Sequence, residues 1–177
     1  MKIKSILPAI LLATTMASAT NAQNRCQNSA LDDIKKRTTI DLQLAKMTPN
    51  DELAHRMDAY EILCPWQISQ DFTGDRRKDW IGLVEKDGKI LLSGIFSNGN
   101  TYSLVDIWEY DKPPTEIHLE EITLREFELF KTNSPKAPEG VSFVLAINRI
   151  NKTTQILQWN GKTMIQVASI ESRYQQG

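Results

Sequence analysis

Two periods of hydrophobic spacing divide this chain. Between Ser29 and about Leu63 the apolar positions recur at helical intervals, with Leu53, Met57, Tyr60 and Leu63 on one predicted helix face. Ser29 followed by Asp32, and Thr48-Pro49-Asn50-Asp51, each read as a helix N-terminus with an acidic residue in the first turn. Pro49 suits the first helical position, where its missing N–H costs nothing. Pro65 stops the pattern, so the spacing predicts a helical hairpin over 28–65. From Trp66 onward the period is two. Asp79 to Lys86 alternates, with Trp80 and Val84 facing one way and Ile81 and Leu83 the other. Lys86-Asp87-Gly88-Lys89 predicts a two-residue hairpin, because Asp-Gly accepts the positive φ angles of a type I′ turn. Strands follow over Lys89 to Phe96 and Thr101 to Tyr110, joined at Asn98-Gly99-Asn100. Glu116 to Lys131 reads as two short strands, with helix the alternative. Ser134 to Gly140 is a loop, and Val141 to Ile150, Thr153 to Trp159 and Lys162 to Ile170 are strands, the last two joined by Asn160-Gly161. The expectation is an α+β, mainly β fold in which the hairpin packs on an antiparallel meander over 66–177. That meander is either a sandwich or an open, propeller-blade-like sheet.

The first residues change the picture of where the protein works. Met1-Lys2-Ile3-Lys4 is basic, Ser5 to Ala19 is apolar and small, and Thr20-Asn21-Ala22 offers a small-residue cleavage site. Residues 1–22 therefore read as a signal peptide, with cleavage after Ala19 as the alternative, and 23–177 as one domain. The apolar run falls short of the roughly 20 residues that span a bilayer. A short, simple signal of this kind points to a soluble protein of the bacterial periplasm. Removing Lys2 and Lys4 from 21 basic residues leaves 19 against 22 acidic ones, a net charge of about −3. That balance gives no attraction to nucleic acid or to an anionic membrane. Cys26 and Cys64, the two cysteines, read as a disulfide in such a compartment. Closing the loop between them would stabilise the fold by about 4 kcal/mol in the chain-entropy model.

One stretch has a definite chemical pattern. In Asp71-Phe72-Thr73-Gly74-Asp75-Arg76-Arg77-Lys78-Asp79, acidic or hydroxyl side chains alternate around a glycine, just before a hydrophobic strand. Alternate side chains of a curled loop point inward, where their oxygens can surround one hard cation. The other reading is a turn in which Asp71 and Asp75 accept backbone N–H groups and shape the start of the strand. The stretch resembles the calcium loop of FG-GAP and VCBS repeats, the integrin-type propeller blades, whose pattern is roughly D-x-N-G-D-G-x-x-D. The resemblance implies calcium held by the side chains of Asp71, Thr73, Asp75 and Asp79 and the carbonyl of Arg77. Thr73 stands where the pattern has Asn or Asp, and Arg76 where it has glycine. A closed propeller needs about four blades, and this chain has strands for about two.

Catalytic patterns are sparse. The two histidines are His55, on the polar side of its predicted helix, and His118, between Ile117 and Leu119 and close to Glu120 and Glu121. Adjacent strand residues point to opposite faces, so a His–Glu acid–base pair lacks support from spacing. No G-x-S-x-G elbow, phosphate-cradling loop or H-E-x-x-H occurs. Tyr102, Trp108 and Tyr110 fall at even positions of one strand, and Trp159 precedes a turn. They read as core, or as an aromatic face for a protein partner. The expectation is a non-catalytic periplasmic binding protein that inhibits or neutralises a protein partner, a toxin or hydrolase. By address and architecture it resembles lysozyme inhibitors and immunity proteins. A small enzyme or ligand carrier using the crevice between helix and sheet, with His118 or the carboxylates, is the alternative, and a structural envelope protein the third.

Overall fold

The computed structural model describes residues 29–128, 136–150 and 152–171. Residues 1–22, read above as a signal peptide, Cys26 and the start of the loop from Ser134 lie outside them. The elements in chain order are α1 (Ser29–Arg37), β1 (Gln43–Leu44), α2 (Asp51–Ala59), β2 (Gln67–Ile68), β3 (Trp80–Lys86), β4 (Lys89–Asn98), β5 (Thr101–Tyr110), β6 (Ile117–Thr123), α3 (Leu124–Glu128), β7 (Phe143–Arg149), β8 (Thr153–Trp159) and β9 (Met164–Glu171).

The strands make two antiparallel sheets, each a meander of sequential neighbours. In the first, β3, β4 and β5 pair in order, and the outer edge of β3 is tiled by β1 at Val84 and Glu85 and by β2 at Ile81 and Gly82. In the second the order is β6-β7-β8-β9. Period-two patterning decides which side each residue faces. Ile81, Leu83, Leu92 and Phe96 of the first sheet form one buried cluster with Leu119, Leu145, Ile147, Leu157 and Trp159 of the second. The sheets therefore pack face to face. Phe96 stacks on Trp159 across this layer with ring centroids 4.5 Å apart. On its other side the first sheet buries Trp80, Val84, Leu91 and Ile95 under Leu31 and Ile34 of α1. The alternation read from Trp80 to Val84 holds. The mainly β α+β class holds as well, and of the two arrangements expected for the strands the structure has the two-sheet one.

The Asp87-Gly88 turn has φ angles of 53° and 73°, as a type I′ hairpin requires. Three local expectations need correction. Asn50, not Thr48, caps α2: its side chain accepts the Leu53 N–H at 2.9 Å, which leaves Pro49 outside the helix. The helix then ends at Ala59, so Tyr60 and Leu63 leave the stripe begun by Leu53 and Met57 and are 72% and 57% exposed. The two N-terminal helices also stand apart, with β1 between them, and α2 packs with Ile150 and Trp66 rather than with α1. In the stretch from Glu116, β6 passes directly into the short helix α3, whose Phe127 packs on Val144, Ala146 and Ile156. Thr123 and Glu126 bond reciprocally at that start, with Glu126 N donating to Thr123 Oγ1 and Thr123 N to Glu126 Oε2, a capping box that explains the switch.

Candidate functional site

The loop from Asp71 to Asp79 is built around carboxylates that accept amide hydrogens. Asp79 is buried at the start of β3. Its Oδ2 accepts from Phe72 N at 2.7 Å and Thr73 N at 2.9 Å, and its Oδ1 from Ser97 N at 2.7 Å. Asp71 accepts from Gly74 N and Arg76 N, both at 2.7 Å. Asp75 accepts from Arg77 N at 2.9 Å, Ser97 Oγ at 2.7 Å and Gly99 N at 3.1 Å. Burial pushes the Asp79 carboxyl up to about 6 against amides that favour its charged form. Desolvation also opposes ionisation of Asp75, but its bonds to Ser97, Arg77 and Gly99 prevail and hold its carboxyl below the ordinary value.

Asp71, Thr73, Asp75 and Asp79, the side chains named by the calcium resemblance, thus come together. Arg77 joins them here through its N–H. Thr73 Oγ1 lies 3.5 Å from oxygens of Asp71, Asp79 and Ser97. Every carboxylate oxygen of the three aspartates already takes at least one N–H. Among the described residues no group of three or more His, Cys, Asp or Glu is arranged to hold a metal. An ion would have to compete with the amides that close the loop. Arg76 has φ of 67°, so it takes the left-handed conformation that the pattern assigns to glycine.

This loop does not stand alone. Gly74 packs so closely on the backbone of Gly140 and Val141 that a Cβ there would overlap them. Arg77 reaches Asn100 at 3.5 Å. The β4–β5 and β8–β9 turns meet the loop around a cavity of about 340 Å³, lined by Thr73, Asp75, Asn98, Gly99, Trp159 and Lys162. Four separate loops therefore gather at one end of the stacked sheets.

The aromatic residues divide differently from the sequence reading. A β-bulge shifts the β4–β5 register between Leu92 and Ser93, so Leu92 faces Trp108, Ser93 faces Asp106, and Ile107 is skipped. Tyr102 consequently packs on the α1 side, while Trp108 and Tyr110 turn toward the layer between the sheets. The three do not share a face. Tyr110 and Trp159 are largely buried, and Trp159 lines the cavity at the loop end. Cys64 carries no free thiol and accepts a hydrogen bond from Gln67 Nε2 at 3.1 Å, while Cys26 is outside the described residues.

At the opposite end of the second sheet lies a crevice of about 500 Å³ between α2 and the sheet face turned away from the first sheet. Direct cross-strand register places His118 of β6 beside Asn148 of β7 and Asn148 beside Thr154 of β8. Asn148 Nδ2 donates to Glu120 Oε2 at 2.8 Å and to His118 Nε2 at 3.1 Å, and Thr154 Oγ1 donates to Asn148 Oδ1 at 2.7 Å. The acceptor-only carboxylate of Glu120 fixes the amide orientation, which makes His118 Nε2 an acceptor and leaves the ring proton on Nδ1. That Nδ1 is buried without a partner. Burial holds the His118 imidazole below its ordinary value, with Glu120 opposing and Arg56 assisting the shift. Glu120 stands 3.8 Å away, beyond hydrogen-bond reach, so neither ring nitrogen is offered to the crevice as a general base. The sequence reading named His118 with Glu120 but gave the pair no support from spacing, though the two lie two apart on β6 and share a face; the contribution of Asn148, Thr154, Arg56 and Tyr60 needed the strand register and the early end of α2.

No protein-family model, curated protein or solved structure matches the chain. No described helix is long and apolar enough to cross a membrane.

Proposed function

We propose that this chain is a non-catalytic binding protein of the bacterial periplasm that neutralises a protein partner, a toxin or hydrolase. It reaches that compartment through residues 1–22 and is tied by a Cys26–Cys64 disulfide. One observation carries the reading. The 71–79 loop, the Asn98-Gly99 turn, the Asn160-Gly161 turn and the residues before Val141 gather at one end of a two-sheet scaffold. Loops fixed on a rigid scaffold are the usual means of entering a partner's cleft. The amides that close the 71–79 loop pre-form that end, which lowers the ordering cost of association.

Calcium enters the proposal as a weak stabiliser of the same loop. Extracellular sites of millimolar affinity suffice for such a role. Adding millimolar calcium is expected to raise the melting temperature, and Asp75→Ala to abolish the rise. A flat response leaves the loop held by its amides alone.

The partner is tested by retaining periplasmic proteins on the immobilised mature protein. A stoichiometric hydrolase or toxin whose activity falls on binding is the expected result. Asn98→Arg with Lys162→Glu, both exposed at the loop end, should release it without changing the melting temperature. Retention of no such enzyme, or retention indifferent to the double variant, defeats the proposal.

A further inference from the structure

The crevice at the other end has a hydrogen-bonding balance of its own. Within the ladder, both N–H bonds of the Asn148 amide are spent, on Glu120 and His118, and the Thr154 hydroxyl proton is spent on Asn148. With the His118 Nδ1–H buried, what this row turns to the gap are acceptors: the second Glu120 oxygen, a lone pair on Asn148 Oδ1 and the Thr154 oxygen. Across the gap, Arg56 of α2, 3.9 Å from Glu52 on its own helix, adds guanidinium N–H groups, which only donate. Of the charged lining residues, Arg56 and Glu120 turn to this gap, while Glu121 and Arg149 fall on the other face of the sheet by register, so the formal charges facing the gap cancel with His118 neutral. A ligand matching this wall must donate to one side, accept from the other and bring no net charge. Hydroxyl groups do all three, since each O–H both donates and accepts. At the rim Tyr60 is 72% exposed, a flat apolar ring beside a polar wall.

We propose that this crevice binds a neutral polyhydroxylated ligand of the saccharide class. Adjacent hydroxyls meet Glu120, Asn148, Thr154 and Arg56, and a C–H face of the sugar ring lies on Tyr60. The volume of about 500 Å³ is in the range of small-molecule sites and takes one or two sugar rings. The site lies at the far end of the second sheet from the loop cluster, so it does not depend on the protein partner proposed above.

The test is a titration of the ¹⁵N-labelled mature protein with maltotriose, cellotriose and triacetylchitotriose, with glycine as a zwitterionic comparison. At least one saccharide should bind saturably, with a dissociation constant on the order of 1 mM, and shift the Asn148 side-chain amide and the His118 ring. Tyr60→Ala should weaken that binding about tenfold, or 1.4 kcal/mol, while the melting temperature stays put, since Tyr60 is too exposed to matter for folding. Thr154→Val should weaken it as well and lower the melting temperature, because it removes the hydroxyl that donates to Asn148. The Asn98→Arg and Lys162→Glu double variant should leave saccharide binding unchanged. Three flat saccharide titrations, glycine binding in their place, or affinity unaffected by Tyr60→Ala overturns the proposal.

Discussion

Gly74 and Arg76 sit two residues apart, and both have positive φ, 82° and 67°. Their substitutions should move stability in opposite directions. Gly74→Ala adds a Cβ against the immobile backbone of Gly140 and Val141 and should cost more than about 2 kcal/mol. Arg76→Gly removes a strained side-chain-bearing residue and should raise stability by up to about 1 kcal/mol. Urea midpoints of the two variants check the pair, and two changes of the same sign would contradict it. His118 gives a pH prediction. Its folded-state affinity for protons lies below that of the free side chain, whose ordinary value is 6.5. Below that value the unfolded chain takes up the proton first, so this group removes stability as pH falls. Asp79, raised from 3.8 to about 6, works in the other direction, since the folded chain binds its proton first. Replacing His118 by Gln should therefore flatten the loss of stability between pH 7 and pH 5 relative to the parent chain. Parallel stability–pH curves for the two proteins would show that His118 has no part in it.

Among the elements, α2 is the one whose exact limits matter for the crevice. Asn50 stops its first turn from fraying, and Asn50→Ala should cost about 1 kcal/mol, read as a lower thermal midpoint. The sequence predicted a helix there because Leu53 and Met57 are spaced for one. It also predicted that Tyr60 and Leu63 would continue the buried stripe, and they do not, because Glu61 adopts φ of 54° one residue past the cap. Such an early end depends on where the chain must go next, to pair Gln67 with Gly82, and local spacing holds no record of that. The strands from Asp79 to Tyr110 were legible because alternation and the Asp-Gly and Asn-Gly turns are local. The β5 bulge was not legible. One skipped residue at Ile107 reverses every later side chain, and it arises from pairing with β4 rather than from composition. The oxygen-rich loop was legible as a cluster, and so were the acceptance of amides by Asp71 and Asp75. The row of His118, Asn148 and Thr154 was not, since its members belong to three strands and meet only through register.

At the scale of the molecule, the two sheets share one interior, and Phe96 stacks on Trp159 across it. Phe96→Ala should cost about 3–5 kcal/mol, as large buried aromatics do. Because that layer belongs to both sheets, near-ultraviolet circular dichroism and amide protection of either sheet should be lost together in one transition. Separate transitions for residues 80–110 and 117–171 would show that the sheets are independent. The two proposed sites then sit on one cooperative body, at opposite ends of its second sheet. The tiling of β3 has a consequence in time. Its outer edge is closed by two fragments, Gln43–Leu44 and Gln67–Ile68, which precede it in the chain and take their strand pairing from β3. A ribosome delivers those fragments first. Each fragment must therefore wait for its partner strand to be made, and without the two of them the edge from Trp80 to Lys86 would be open to other chains.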